Sequence, residues 1–152
     1  MNYILKGFGL AGLRIGFCVA NPDVIQVLKM VNQPFFVNSL AQKAAVAALK
    51  DEEFMKKTKR FMDSERNFLT TGLRKRGFKV IESQANNLLV KVTPCFQSSD
   101  NFVSKLSSKG VSVVSGTAFN CLGQNFVRIS PRSRKINMQF LKILDTLLIE
   151  RR

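Results

Sequence analysis

The sequence predicts an α+β fold, and three observations predict it. Up to Gly77 apolar residues recur mostly at helical spacing, with one strand-like apolar run near the start. Beyond Gly77 short apolar runs alternate with short helical stripes, the pattern of a small mixed or antiparallel sheet flanked by helices. The 152 residues are 45% hydrophobic and 22% charged, enough to build a packed core and too polar for a membrane protein.

Residues 13–20 are mostly apolar, as in a buried strand. Asn21 then reads as a helix N-cap with Pro22 at the first helical position. Val24, Val27, Leu28 and Val31 share one face until Pro34. Asn38 and Ser39 open an alanine-rich helix containing Leu40, Ala44, Ala45, Ala48 and Leu49. Asp51 caps a long helix whose stripe runs through Phe54, Thr58, Phe61, Met62, Phe68, Leu69 and Leu73 to Gly77. At about 26 residues it would be roughly 39 Å long, a spine joining two lobes. Strands follow at 78–82 and 88–92, then a helix capped by Asp100, carrying Phe102, Val103 and Leu106 and ending at Gly110. Residues 111–114 form a third strand and 126–130 a fourth. Ile136, Phe140, Ile143, Leu144, Leu147 and Leu148 mark the last helix. Boundaries fall at 1–50, 51–77 and 78–152, the middle segment being the linking helix.

There is no histidine, which excludes Ser-His and Cys-His catalytic pairs and the commonest metal ligand. Cys18, Cys95 and Cys121 show no C-x-x-C spacing, so neither a zinc site nor a disulfide framework is readable, and a reducing cytoplasm fits best. The 7–20 segment is apolar after Lys6, but Arg14 interrupts it and it is too short to span a bilayer. Lys and Arg number 24 against 10 Asp and Glu, a formal charge of +14. The cations cluster at Lys56–Arg60, Arg74–Arg76, Arg132–Lys135 and the C-terminus, with one Tyr and no Trp. This reads as a solvated basic surface ahead of a nucleic-acid site, because aromatics interleaved with cations are not evident. A basic nucleic-acid-binding module stays as an alternative.

Gly7-Phe8-Gly9-Leu10-Ala11-Gly12 satisfies G-x-G-x-x-G, but only six residues precede it and a strand rather than a helix is expected after it, the wrong setting for a dinucleotide site. The wider string from Lys6 to Gly16 is more specific and resembles the cofactor-lysine segment of the histidinol-phosphate aminotransferase family, pyridoxal-phosphate enzymes of fold type I. Residues 34–42 (PFFVNSLAQ), 83–90 (SQANNLLV) and 126–130 (FVRIS) resemble later segments of that family in the same order. The resemblance implies the end of a large domain, the linking helix and a complete C-terminal small domain.

It also implies roles. Lys6 would be the amine that attaches pyridoxal phosphate and shuttles the α-proton; a solvated lysine is the plain alternative. Arg14 would bind the cofactor phosphate, against a role as an arginine paired inside an apolar strand. Arg128, between apolar neighbours, would grip the substrate α-carboxylate, against a snorkelling strand arginine. Asn86 would sit near the substrate, although asparagine in a turn is often structural. The implied reaction moves an amino group between a donor such as histidinol phosphate or glutamate and a 2-oxo acid.

The departures carry expectations too. Leu5 replaces the family's Ser or Thr before the lysine, removing a phosphate contact. Val114 aligns where the family has an arginine associated with the substrate's phosphate or distal carboxylate. Arg132, Ser133, Arg134 and Lys135 put cations where they oppose the last helix's dipole. The family's ring-pairing aspartate and stacking aromatic lie before the lysine, so the chain is expected to be a truncated member without catalysis of its own. Completion by a partner chain, or self-association through Val24, Val27 and neighbouring residues, is the corresponding expectation.

Overall fold

The computed structural model describes residues 7–32, 36–93 and 95–150. Among them are five α-helices and a four-stranded sheet. The chain divides into two compact units, Met1–Arg60 and Phe61–Arg152, the division falling inside the long helix.

In the first unit the expected strand at 13–20 is absent. Ala11–Leu13 form a 3-10 turn and the following residues are extended, with a single bridge residue at Phe17. A strand needs a laddered partner along its length, and the apolar residues here pack on a helix instead. Ile15 is buried against Ala41 and Ala45, with Phe8, Leu10, Leu13, Phe17, Val37 and Ala48 around them. Those alanines belong to α2 (Ser39–Lys50), where Asn38 Oδ1 accepts from the Ala41 N–H at 2.8 Å as the N-cap. Helix α1 (Pro22–Val31) is capped likewise by Asn21, whose Oδ1 accepts from the Asp23 N–H at 3.0 Å. No residue of α1 is buried: Val27 is 55% and Val31 73% exposed. Pro34 lies outside the described residues.

Helix α3 (Glu52–Arg74) has 23 residues and starts on Asp51, whose Oδ1 accepts from the Phe54 N–H at 2.9 Å. It ends three residues short of Gly77 because its last carbonyls are closed by a Schellman turn. The Gly77 N–H donates to Arg74 O at 3.0 Å and the Phe78 N–H to Leu73 O at 3.2 Å, with Gly77 at φ +84°. Phe78 and Leu73 meet in the core behind this turn.

In the second unit β1 (Lys79–Val80), β2 (Leu88–Lys91), β3 (Val114–Ser115) and β4 (Phe126–Ile129) form an antiparallel sheet in the order β1-β2-β4-β3. Val80, Leu88, Val90, Val127 and Ile129 point to one face. They share a core with Leu69 and Leu73 of α3, Phe102 and Leu106 of α4 (Ser99–Ser108), and Phe140, Leu141, Leu144 and Leu147 of α5 (Arg134–Ile149). The third strand starts at Val114, later than expected, since the Val111 N–H is spent on Leu106 O at 2.9 Å to close α4. Ser98, not Asp100, caps α4 by accepting from the Asn101 N–H at 3.1 Å.

Helices α3 and α5 run parallel with a constant sequence offset. Glu65 meets Arg134, Gly72 lies under Leu141 and Arg76 meets Asp145. A Cβ on Gly72 would come within 2.5 Å of Leu141 Cδ1, so glycine sets the closeness of the crossing. Arg76 holds Asp145 bidentately at 2.7 and 2.6 Å. Glu65, 4% exposed, accepts from Arg134 Nε at 3.0 Å and from Asn137 Nδ2 at 2.9 Å. The cations opening α5 therefore have an answer: Arg134 is neutralised by Glu65 and lies 4.0 Å over the Phe68 ring. The Arg134 hydrogen bond and charge, helped by Asn137, hold the Glu65 carboxyl below the usual range against the opposing effect of burial.

Candidate functional site

Arg128 occupies β4, one of the two inner strands, with alternation placing it on the face away from the core. Register sets Leu89 directly opposite on one side and Val114 on the other. Its guanidinium lies 5.1 Å from the Phe119 ring centroid, and its Nε is buried without a hydrogen-bond partner among the described residues. A buried orphan donor on a stacked guanidinium is costly unless an acceptor arrives.

Phe119 reaches Arg128 because the 3-10 turn Gly116–Ala118 is anchored. Asp100 accepts from Ser115 Oγ at 2.6 Å and from Thr117 Oγ1 at 3.0 Å, tying the turn to α4. Gly116 lies against the start of β4, where an added Cβ would sit 2.5 Å from Gly123 O and 2.6 Å from Phe126 O. Phe119 is absent from the sequence-based site, and the glycine three residues before it was the available signal.

Asn86 lies in the β1–β2 connection at the end of the sheet nearest Ser130. Ser130 Oγ donates to Asn87 Oδ1 at 2.6 Å, and Asn87 Nδ2 donates to Asn86 Oδ1 at 3.1 Å. Ser83 Oγ donates to Asn87 O at 2.9 Å, and Arg66 Nη1 donates to Ala85 O at 3.1 Å, so the loop is pinned from both sides. The hydrogen-bond chain from Asn86 thus runs through Asn87 to Ser130, which follows β4 two residues after Arg128. Asn87 and Ser130 complete that chain and were not singled out from sequence, although both fall inside the quoted segments.

Arg14 belongs to the first unit. It closes the Ala11–Leu13 turn with φ +51°, rare for a residue other than glycine, and among the described residues its exposed guanidinium donates only to Ala11 O at 3.3 Å. Leu13 and Ile15 on either side are held in the α2 cluster, which fixes the backbone that presents it. Gly9, at φ +71°, permits the preceding turn. Lys6 and Leu5 lie outside the described residues.

Among the described residues no helix is long and apolar enough to cross a membrane, and no group of three His, Cys, Asp or Glu side chains forms a metal cluster.

The aminotransferase class I and II family model matches residues 6–144. A histidinol-phosphate aminotransferase of Methanocaldococcus jannaschii is 38% identical over 144 residues, covering 94% of this chain and 38% of its own length. One from Moorella thermoacetica is 36% identical over 143 residues, covering 94% of this chain and 36% of its own length. The chain therefore spans less than half the length of these curated relatives. The crystal structure of the histidinol-phosphate aminotransferase from Clostridium acetobutylicum superposes with a TM-score of 0.86 at 24% identity, over 97% of this chain and 45% of that one, a likeness of fold. The aromatic aminotransferase from Pyrococcus horikoshii does so with a TM-score of 0.80 at 26% identity, over 99% of this chain and 42% of that one.

Proposed function

Because this chain belongs to the aminotransferase class I and II family, we infer that its residues furnish one share of a transaminase pocket of the histidinol-phosphate aminotransferase type. Enzymes of this family use pyridoxal phosphate, which when bound supplies the carbonyl that takes up the amino group and the ring that draws electrons from the α-carbon.

The side chains on hand fit that chemistry at two points. Arg14, exposed and without a carboxylate partner among the described residues, has the donors to hold a phosphate dianion. The observation that carries the reading is Arg128: a stacked guanidinium with a buried, unpartnered Nε is made for a carboxylate. Asn86, steadied by Asn87 and Ser130, would orient the substrate beside it. Lys6 would attach the cofactor and move the α-proton, a role that rests on its sequence context alone. Val114, beside Arg128 by register, offers no charge to a distal phosphate, which favours a donor or acceptor other than histidinol phosphate.

The same 152 residues would not catalyse transamination by themselves. In support, α1 and α2 leave apolar side chains uncovered, among them Met30 at 78% and Leu40 at 74% exposed. Either further aminotransferase residues, on this or a separate chain, or a second copy would bury them.

Titration of the 152-residue chain with pyridoxal phosphate, borohydride trapping and mass mapping against a Lys6→Ala control tests both statements. Saturable labelling confined to Lys6 supports the pocket. Labelling spread evenly over the lysines, unchanged in Lys6→Ala, overturns it. Transaminase turnover by a monodisperse monomer would overturn the need for completion.

A further inference from the structure

The face of the sheet turned away from the core gathers cations and rings that lie far apart in sequence. Lys79 on β1 stands directly opposite Lys91 on β2, and Lys91 opposite Phe126 on β4. One step along, Leu89 faces Arg128 and Arg128 faces Val114. These six strand positions hold three cations and no carboxylate. Like charges directly across an antiparallel pair repel. Neither lysine makes an ion pair or side-chain hydrogen bond among the described residues, so no described carboxylate pairs with either to offset that repulsion. A ligand carrying negative charge would.

We propose that this face binds single-stranded nucleic acid, with phosphates at Lys79 and Lys91 and a base stacked on Phe126. Strands spaced about 4.8 Å apart put the Lys79 and Phe126 backbones about 10 Å apart, a reach that one phosphate and its base span across the strands. An antiparallel sheet with helices behind it and rings among cations in front suits stacked bases in this way. A phosphate-only ligand would leave Phe126 unused. A lipid surface would call for protruding apolar side chains, whereas Leu89, Val114 and Phe126 are half-buried. Lys79, Lys91 and Phe126 lie on the same face as Arg128, one register step away, and binding there needs neither pyridoxal phosphate nor Lys6.

Fluorescence anisotropy of a labelled twelve-nucleotide uridine oligomer with the full chain, over a salt series, tests it. Expected is binding that weakens steeply with salt, and a Lys79→Ala/Lys91→Ala variant that binds at least about tenfold more weakly with a salt slope smaller by about 1.4. Lys135→Ala/Lys142→Ala, which removes equal charge from exposed positions on α5, should bind as the parent does. Phe126→Leu should weaken binding about tenfold with the slope unchanged; circular dichroism checks its fold, and the lysine pair decides alone if it fails. Equal losses in the two lysine doubles would overturn the proposal. So would absence of binding at low salt, polyphosphate binding as tightly as the oligomer, or phosphatidylserine vesicles binding where the oligomer does not.

Discussion

Arg128 is placed by packing rather than by bonding: Leu89 and Val114 flank it by register and Phe119 stacks on it, while its buried Nε donates to no described residue. Replacing it by Lys keeps the charge but loses the planar fork, so we expect carboxylate-analogue binding, measured by calorimetry, to weaken about tenfold or more. Thermal stability should change little, since no hydrogen bond at Nε is lost. Arg14 makes the opposite trade. Its left-handed backbone costs about 1 kcal/mol, so Arg14→Gly should raise stability in denaturant titrations by about that much while phosphate binding falls. A loss of stability on that change would show that the guanidinium holds the turn together rather than waiting for an anion. The sequence made both arginines legible as candidates. It left Phe119 unseen, because the contact with Arg128 depends on how Gly116 and the Asp100 bonds fold the intervening turn.

Capping chemistry is local and was largely readable: Asn21, Asn38 and Asp51 bond as their types predict, Gly77 and Gly110 end helices with positive φ, and only the expected Asp100 cap gives way to Ser98 two residues earlier. Pairing is nonlocal and was not. The expected strand at 13–20 lacks a ladder, and nothing in the helical stripe marks Glu65 as the buried acid between α3 and α5. Glu65→Leu should destabilise the second unit by about 2 kcal/mol in urea titrations, because Asn137 and Arg134 lose a charged acceptor. The sign of the pH effect follows from its lowered pKa. The contribution is full above the ordinary glutamate range and is lost as pH falls through the lower folded value. Acid unfolding of Glu65→Leu should therefore lack that component. Gly116→Ala meets backbone oxygens that cannot rotate away, so a loss of about 3 kcal/mol is expected.

At the scale of the whole chain, apolar stripes that were readable as helices divide into those with a core and those without. The stripe of α5 is buried through Phe140, Leu141, Leu144 and Leu147, whereas the face of α1 carrying Val24, Val27 and Val31 is exposed. Periodicity identifies an apolar face but carries no information about what covers it. Light scattering across a concentration series should show self-association, and Val24→Lys/Val27→Lys should reduce it; a monomer at all concentrations would mean that this face is tolerated in water. The register between α3 and α5 bears on how the chain is made. Each of its ion pairs, Glu65 with Arg134 and Arg76 with Asp145, joins residues 69 apart, with the whole sheet between them in sequence. Contacts of such separation form late. During vectorial synthesis α3 leaves the ribosome well before its partner helix exists, so the second unit locks only after the helix carrying Arg134 and Asp145 has been made. A nascent chain stalled before residue 134 should be protease-sensitive throughout this unit.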